Sequence, residues 1–238
     1  LFWLLRTLPI GISSLLFPQQ TASTPLGSPL ILQVSAVSLV GWIFILNLLG
    51  WIGGGLYFRS VAWLATQDKN NPPIRFSRVI VQTVLTSIFW SILSVMILVP
   101  VFLVLAVVLQ FSPFIANLLV LFLSLVSMWV VVPLFFWPHG IFLRRQNFAT
   151  AIFSSVQMTR FTLPTSSMFV LTIFLLSVGL NFLWSIPPQD SWMTLVGIFG
   201  HSFVTTALLA ASFVYYRDMN TWLQAVIEKL RPTAVTKA

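Results

Sequence analysis

The chain has 238 residues, of which 58% are hydrophobic and only 7% charged, with a mean hydropathy of +0.99; soluble domains carry about 25% charged residues, so a water-soluble fold is excluded and an all-α polytopic membrane protein is expected. Cysteine is absent, which removes disulfides, thiolate metal sites and cysteine nucleophiles together. The net charge of +8 sits between apolar runs and reads as topological, so no nucleic-acid partner is expected.

Counted in stretches of about 20 apolar residues, the chain holds about six transmembrane helices in one integral domain, 1–238. The expected spans are 1–17, 30–58, 79–109, 114–137, 163–184 and 192–216, with amphipathic inner-face helices over 146–160 and 218–231. The first span is short and interrupted by Pro9 and Gly11; it reads as a thin crossing, with a re-entrant segment as the alternative. Arg6 inside it, and the lack of a small-residue cleavage pattern after it, argue against a retained signal peptide.

The second span carries Gly50 and Gly54, a GxxxG pair that lets a neighbouring helix backbone approach closely. A phosphate-loop reading fails because no Lys and Ser/Thr follow the glycines. Asn71 before Pro72 marks a helix start. The third span is longer than a bilayer needs, and Pro100 should kink it. A short turn at 110–113 makes spans three and four an antiparallel hairpin. Phe148, Ala151, Ile152 and Val156 place one apolar face on the segment after Arg144 and Arg145, which predicts a helix lying along the membrane surface. Met219, Trp222, Leu223, Val226, Ile227 and Leu230 do the same for the tail, with Pro232 as its stop.

With six crossings, every Lys and Arg falls on one side, including Arg59, Arg144, Arg145 and Arg217, while the opposite loops hold only Asp190. The positive-inside rule then places both termini in the cytoplasm. Tyr57-Phe58-Arg59, Phe142-Leu143-Arg144 and Tyr215-Tyr216-Arg217 each close an even-numbered span. They suggest three copies of a hairpin plus surface helix; the alternative is that any inward-going helix ends this way.

Two patches, FLRRQNFATAIFSSVQMTR before the fifth span and ALLAASFVYYRDMNTWL at the end of the sixth, resemble bacterial six-helix proteins related to the membrane domain of glycerophosphoryl diester phosphodiesterases and to the YciC-like envelope family. The positions that carry the likeness are Ala151, Ser155, Tyr216, Arg217 and Asp218. The resemblance implies a fold more than an activity, and the phosphodiesterase catalytic domain is not part of this chain.

Catalytic chemistry has little to draw on. The four acids, Asp68, Asp190, Asp218 and Glu228, are split between the two ends and do not converge as a metal-dependent hydrolase requires. No GxSxG elbow is present, and His201 and Ser202 point to different faces of one helix. No catalytic residue and no metal site are expected. His139, at the inner surface after the fourth span, and His201, in the outer half of the sixth, are too far apart to share one ion. Each is a candidate axial ligand for a tetrapyrrole, against the plainer readings of an interface turn and an interhelical hydrogen bond.

Asn47, Gln82, Asn117 and Asn181 read as interhelical hydrogen-bonders. The basic face, through Arg59, Arg144, Arg145 and Arg217, suits anionic lipid headgroups. The function expected is therefore a non-catalytic accessory or assembly subunit of a larger respiratory or photosynthetic membrane complex, or an envelope-lipid scaffold. Its partners would be other membrane subunits and anionic lipids. The alternatives are a small transporter or lipid-handling protein, marked by a hydrated cavity reaching Asn47, Asn117 or Asn181, and a tetrapyrrole-carrying subunit.

Overall fold

The computed structural model describes residues 35–66, 74–184, 186–188 and 190–230. The predicted first span, the Asn71-Pro72 helix start and the tail stop at Pro232 lie outside them. The described residues form α1 (Ala36–Thr66), α2 (Phe76–Phe111), α3 (Pro113–Phe135), α4 (Trp137–Arg144), α5 (Phe148–Phe161), α6 (Leu163–Trp184) and α7 (Met193–Leu230). Five helices are long and apolar enough to cross a membrane, α3 and α4 together supplying one of them. This is an all-α polytopic membrane fold.

Among the described residues, alternation of the long helices gathers the arginines at one end of the bundle, opposite the turn at Ser112 and the turn before α7. Ser112 caps α3 by accepting the Ile115 N–H at 3.4 Å, with Pro113 in the first turn, where a missing N–H costs nothing. At the basic end the backbone breaks twice. Phe136 leaves the helical path between α3 and α4, and Pro138 opens α4. Arg145 then closes α4 in the left-handed conformation, φ 53°, with the Gln146 N–H on the Gly140 carbonyl at 3.2 Å.

These breaks leave orphan backbone groups, and side chains satisfy them. The Ser155 hydroxyl of α5 donates to the Pro133 carbonyl near the end of α3. Gln82 of α2 accepts the Phe148 N–H at the start of α5, 3.1 Å away. Arg78 donates to the Arg145 carbonyl at 2.8 Å and to Asn147 Oδ1 at 2.9 Å. Asn147 is thus held by Arg78 and makes no side-chain cap to α5.

The core sits at this same end. Val61 and Ala62 of α1, Val79 of α2, Ile141 and Phe142 of α4, Ala151 of α5 and Phe213 of α7 form one buried cluster. Val132, Phe136, Met158, Val170 and Tyr216 form a second beside it. On α2 the buried residues are Val79, Thr83, Thr86 and Ser87; from Ile88 to Phe111 none is buried. The other end of the bundle therefore presents its apolar side chains outward, as lipid-facing helices do, and packing there is left to close contacts between helices. Gly55 brings α1 against Thr83 of α2, where a Cβ would meet that side chain. Trp184 of α6 lies in a notch on α7: a Cβ on Gly197 would sit 2.8 Å from the Trp184 carbonyl oxygen.

Several sequence expectations change. The tail is not a separate surface helix: α7 runs unbroken through Arg217 to Leu230, about 57 Å at 1.5 Å per residue, because nothing between Tyr216 and Met219 breaks the backbone ladder. Likewise α1 continues past Phe58 to Thr66. The helix after Arg145 is not laid flat on its own; Ala151, Ser155, Met158 and Thr159 are buried, packed against α3 and α4. Asn117 and Asn181 are exposed on the helix surface rather than turned between helices, while Asn47 is buried.

Candidate functional site

The three aromatic–arginine triplets meet at the basic end. Phe58 packs on Phe142 with ring centroids 5.7 Å apart and on Phe213 at 6.2 Å. Phe136, from the α3–α4 break, stacks on Tyr215 at 5.6 Å, and Tyr215 stacks on Phe169 of α6 at 3.9 Å, nearly parallel. A run of hydroxyls follows this wall: Thr162 bonds Ser166 at 2.9 Å, and Ser166 bonds the Tyr215 hydroxyl at 3.3 Å. On the other side Tyr57 donates to Thr206 Oγ1 at 2.7 Å, since the Thr206 proton is already on the Ser202 carbonyl. After Arg59 and after Arg217 the helix continues, to Thr66 and to Leu230, whereas after Arg144 the chain reverses into α5; the partner span of the first expected hairpin lies outside the described residues.

Two recesses flank the aromatic wall. The first is cationic, about 320 Å³, lined by Thr66, Leu143, Arg144, Arg145, Tyr216, Arg217, Asn220, Thr221 and Gln224. α4 supplies two arginines because its left-handed stop turns the chain at Arg145; α7 supplies the third because it does not stop at Tyr216. Arg144 donates to Asn220 Oδ1 at 3.1 Å. Arg217 donates through Nε to Asp218 Oδ1 at 2.8 Å and through Nη1 to the Thr66 carbonyl at 3.5 Å. With Asp218 offsetting one of the three cations, the recess keeps a net positive charge, and its guanidinium and amide donors match a phosphate or carboxylate.

Of the four arginines expected to meet headgroups, Arg144, Arg145 and Arg217 thus share one recess. Arg59 does not join them: its Nε donates to the Ile74 carbonyl at 2.9 Å and ties α1 to the start of α2.

The second recess is apolar, about 330 Å³ and open on one side, lined by Phe58, Trp90, Leu134, Phe135, Ile173 and Leu208, with Ser177, Thr205, His139 and Ser212 as its polar edges. No Lys, Arg, Asp or Glu lines it. Apolar walls do not hold water well, so the recess suits a hydrophobic occupant.

His139, predicted at an interface turn, is instead buried at 2% exposure. Its Nε2 lies 2.7 Å from Ser212 Oγ. Nδ1 sits by the Phe135 carbonyl one turn back without closing a hydrogen bond. The ring is packed among Phe135, Phe136, Phe213 and Tyr216, so axial ligation by it would require giving up this seat. His201 is exposed on α7 and lines neither recess. Gly50 and Gly54 are buried on α1.

Ala151, Ser155 and Tyr216, which carried the resemblance to the six-helix envelope proteins, are all buried beside the aromatic wall, whereas Arg217 and Asp218 pair on the surface. Among the described residues no three of His, Asp and Glu gather as a metal site would need. Compared with protein-family models, with curated proteins and with solved structures, the chain finds no match.

Proposed function

We propose that this protein is a non-catalytic membrane scaffold that grips anionic lipid headgroups at its basic end. That end faces the cytoplasm of a bacterial cell, and the bundle serves as an assembly platform in the cytoplasmic membrane. The observation that carries the reading is the convergence of Arg144, Arg145 and Arg217, from segments about 70 residues apart in sequence, on one recess. Positive-inside insertion supports the orientation, and the two patches resembling six-helix envelope proteins are in keeping with a fold of this kind. A role beside other membrane subunits is favoured by Trp222 and Ile227, 53% and 46% exposed on the projecting end of α7.

The test is lipid binding by the intact chain in phosphatidylcholine nanodiscs doped with phosphatidylglycerol, read by native mass spectrometry. At about 1 kcal/mol per arginine near an anionic headgroup, each Arg→Gln change at 144, 145 or 217 should weaken retention about fivefold, whereas Arg59→Gln should leave it unchanged. Equal retention of phosphatidylglycerol and phosphatidylcholine by the parent chain would refute the reading.

A further inference from the structure

We infer that the apolar recess beside His139 is a second, separate binding site, for a neutral lipid-like molecule bearing one hydroxyl. The argument is independent of the arginine recess. Five helical segments line the site: α1 by Phe58, α2 by Trp90, the α3–α4 junction by Leu134, Phe135 and His139, α6 by Ile173 and Ser177, and α7 by Thr205, Leu208 and Ser212. Its volume, about 330 Å³, lies at the lower end of the range of small-molecule sites, about 300–1,000 Å³.

The walls set the chemistry of the occupant. The absence of any charged side chain in the lining excludes a carboxylate, phosphate or ammonium head, which would enter unpaired. The waist is apolar, with Leu134, Ile173 and Leu208 facing aromatic rings from Phe58 and Phe135. Polar groups stand only at the ends: Ser177 and Thr205 at one, His139 and Ser212 at the other. From Thr205 to Ser212 is about 10 Å along α7, room for a short chain with its head at the histidine.

That head has a defined partner. Ser212 gives its one proton either to the Leu209 carbonyl, 2.7 Å away, or to His139 Nε2. In the first case the His139 Nε2–H is directed at Ser212 Oγ and in the second the serine proton is directed at His139, so both protons are used; Ser212 Oγ keeps a lone pair, and the pair accepts from a hydroxyl without a charge. A purely saturated hydrocarbon would leave that end unused, and bulk acyl chains would show no preference for it.

The experiment uses the full chain in phosphatidylcholine nanodiscs and a dodecanol carrying a diazirine on its chain, with crosslinks mapped by peptide mass spectrometry. Labelling should concentrate in Val131–His139 and Thr205–Ser212. 1-Dodecanol should compete at least tenfold better than 2-dodecanone, dodecane or dodecanoate. Ser212→Ala, which removes the accepting oxygen, should lower labelling at least fivefold. Leu208→Trp, which fills the waist, should abolish it with the helical circular dichroism retained. Labelling spread along the lipid-facing stretch Ile88–Phe111, equal competition by 2-dodecanone or dodecane, or undiminished labelling of a folded Ser212→Ala chain would each overturn the proposal.

Discussion

Replacing Gly55 with alanine tests the packing of α1 on α2. A Cβ at that position runs into Thr83, with the Thr83 Cβ and Cγ2 at 3.0 and 3.1 Å and Oγ1 closer still. Overpacking of this kind costs about 1–3 kcal/mol, whereas alanine regains about 1 kcal/mol of helix propensity over glycine. A net loss of about 0–2 kcal/mol is expected from the difference of those two terms. The Thr83 hydroxyl is buried with no hydrogen-bond partner, so Thr83→Ala removes a desolvated polar group along with a methyl and should be close to neutral alone.

The double variant should then recover most of the Gly55→Ala loss, a coupling of about 1 kcal/mol or more in the sense of rescue. Gly41→Ala, at a helical position with nothing within 4 Å, is the control and should be neutral or slightly stabilising. The assay is reversible unfolding in mixed micelles of dodecyl maltoside and sodium dodecyl sulfate, followed by far-ultraviolet circular dichroism. If Gly55→Ala matches Gly41→Ala, or Thr83→Ala fails to rescue it, the close approach of α1 and α2 at this point is wrong.

Three further outcomes follow from single contacts. Gly197→Ala should destabilise by about 1–3 kcal/mol in the same assay, because the new methyl meets backbone, the Trp184 carbonyl, which cannot swing aside. Arg145→Gly should stabilise the fold by about 0.5–1 kcal/mol, since glycine bears no steric penalty in the left-handed conformation that Arg145 holds at φ 53°. The same change should weaken phosphatidylglycerol retention, separating the two roles of that position. Ser155→Ala should cost about 1 kcal/mol by leaving the Pro133 carbonyl without its donor, while Ser155→Thr, which keeps the hydroxyl, should crowd the fully buried site and destabilise by overpacking instead.

Hydropathy made the long helices legible because lipid-length apolar runs are bounded by charged or turn-forming residues. The expected fifth span, 163–184, coincides with α6, since Arg160 and Thr162 stand before it and Pro187 and Pro188 after it. Where an interfacial signal was read as a backbone stop, the reading failed. Tyr215-Tyr216-Arg217 marks a change of surroundings, but no glycine or proline interrupts the hydrogen-bond ladder, so α7 continues. The arginine triplets pointed to the basic end, yet composition alone did not show that Arg144, Arg145 and Arg217 would share a recess while Arg59 turned to Ile74. That depends on the left-handed stop at Arg145, a position where glycine would have been the readable signal.

The burial of His139 was equally hidden. Its neighbours Trp137, Pro138, Gly140, Ile141 and Phe142 are apolar or small, and all are buried; that run was the available sign that this segment is a core helix rather than an interface turn. Asn117 and Asn181 were assigned inward from polarity, but the tertiary arrangement leaves both on the outer surface. In a membrane chain the apolar pattern does not tell a neighbouring helix from lipid, because both are apolar.

The most direct test of the whole arrangement is the sidedness of its two ends. The chain has no cysteine, so single substitutions Thr150→Cys in α5 and Asp190→Cys in the turn before α7 can be probed with a membrane-impermeant maleimide in intact spheroplasts. The arrangement predicts that position 190 labels from outside and that position 150 labels only after permeabilisation. Labelling of position 150 in intact cells would contradict the cytoplasmic placement of the arginine end.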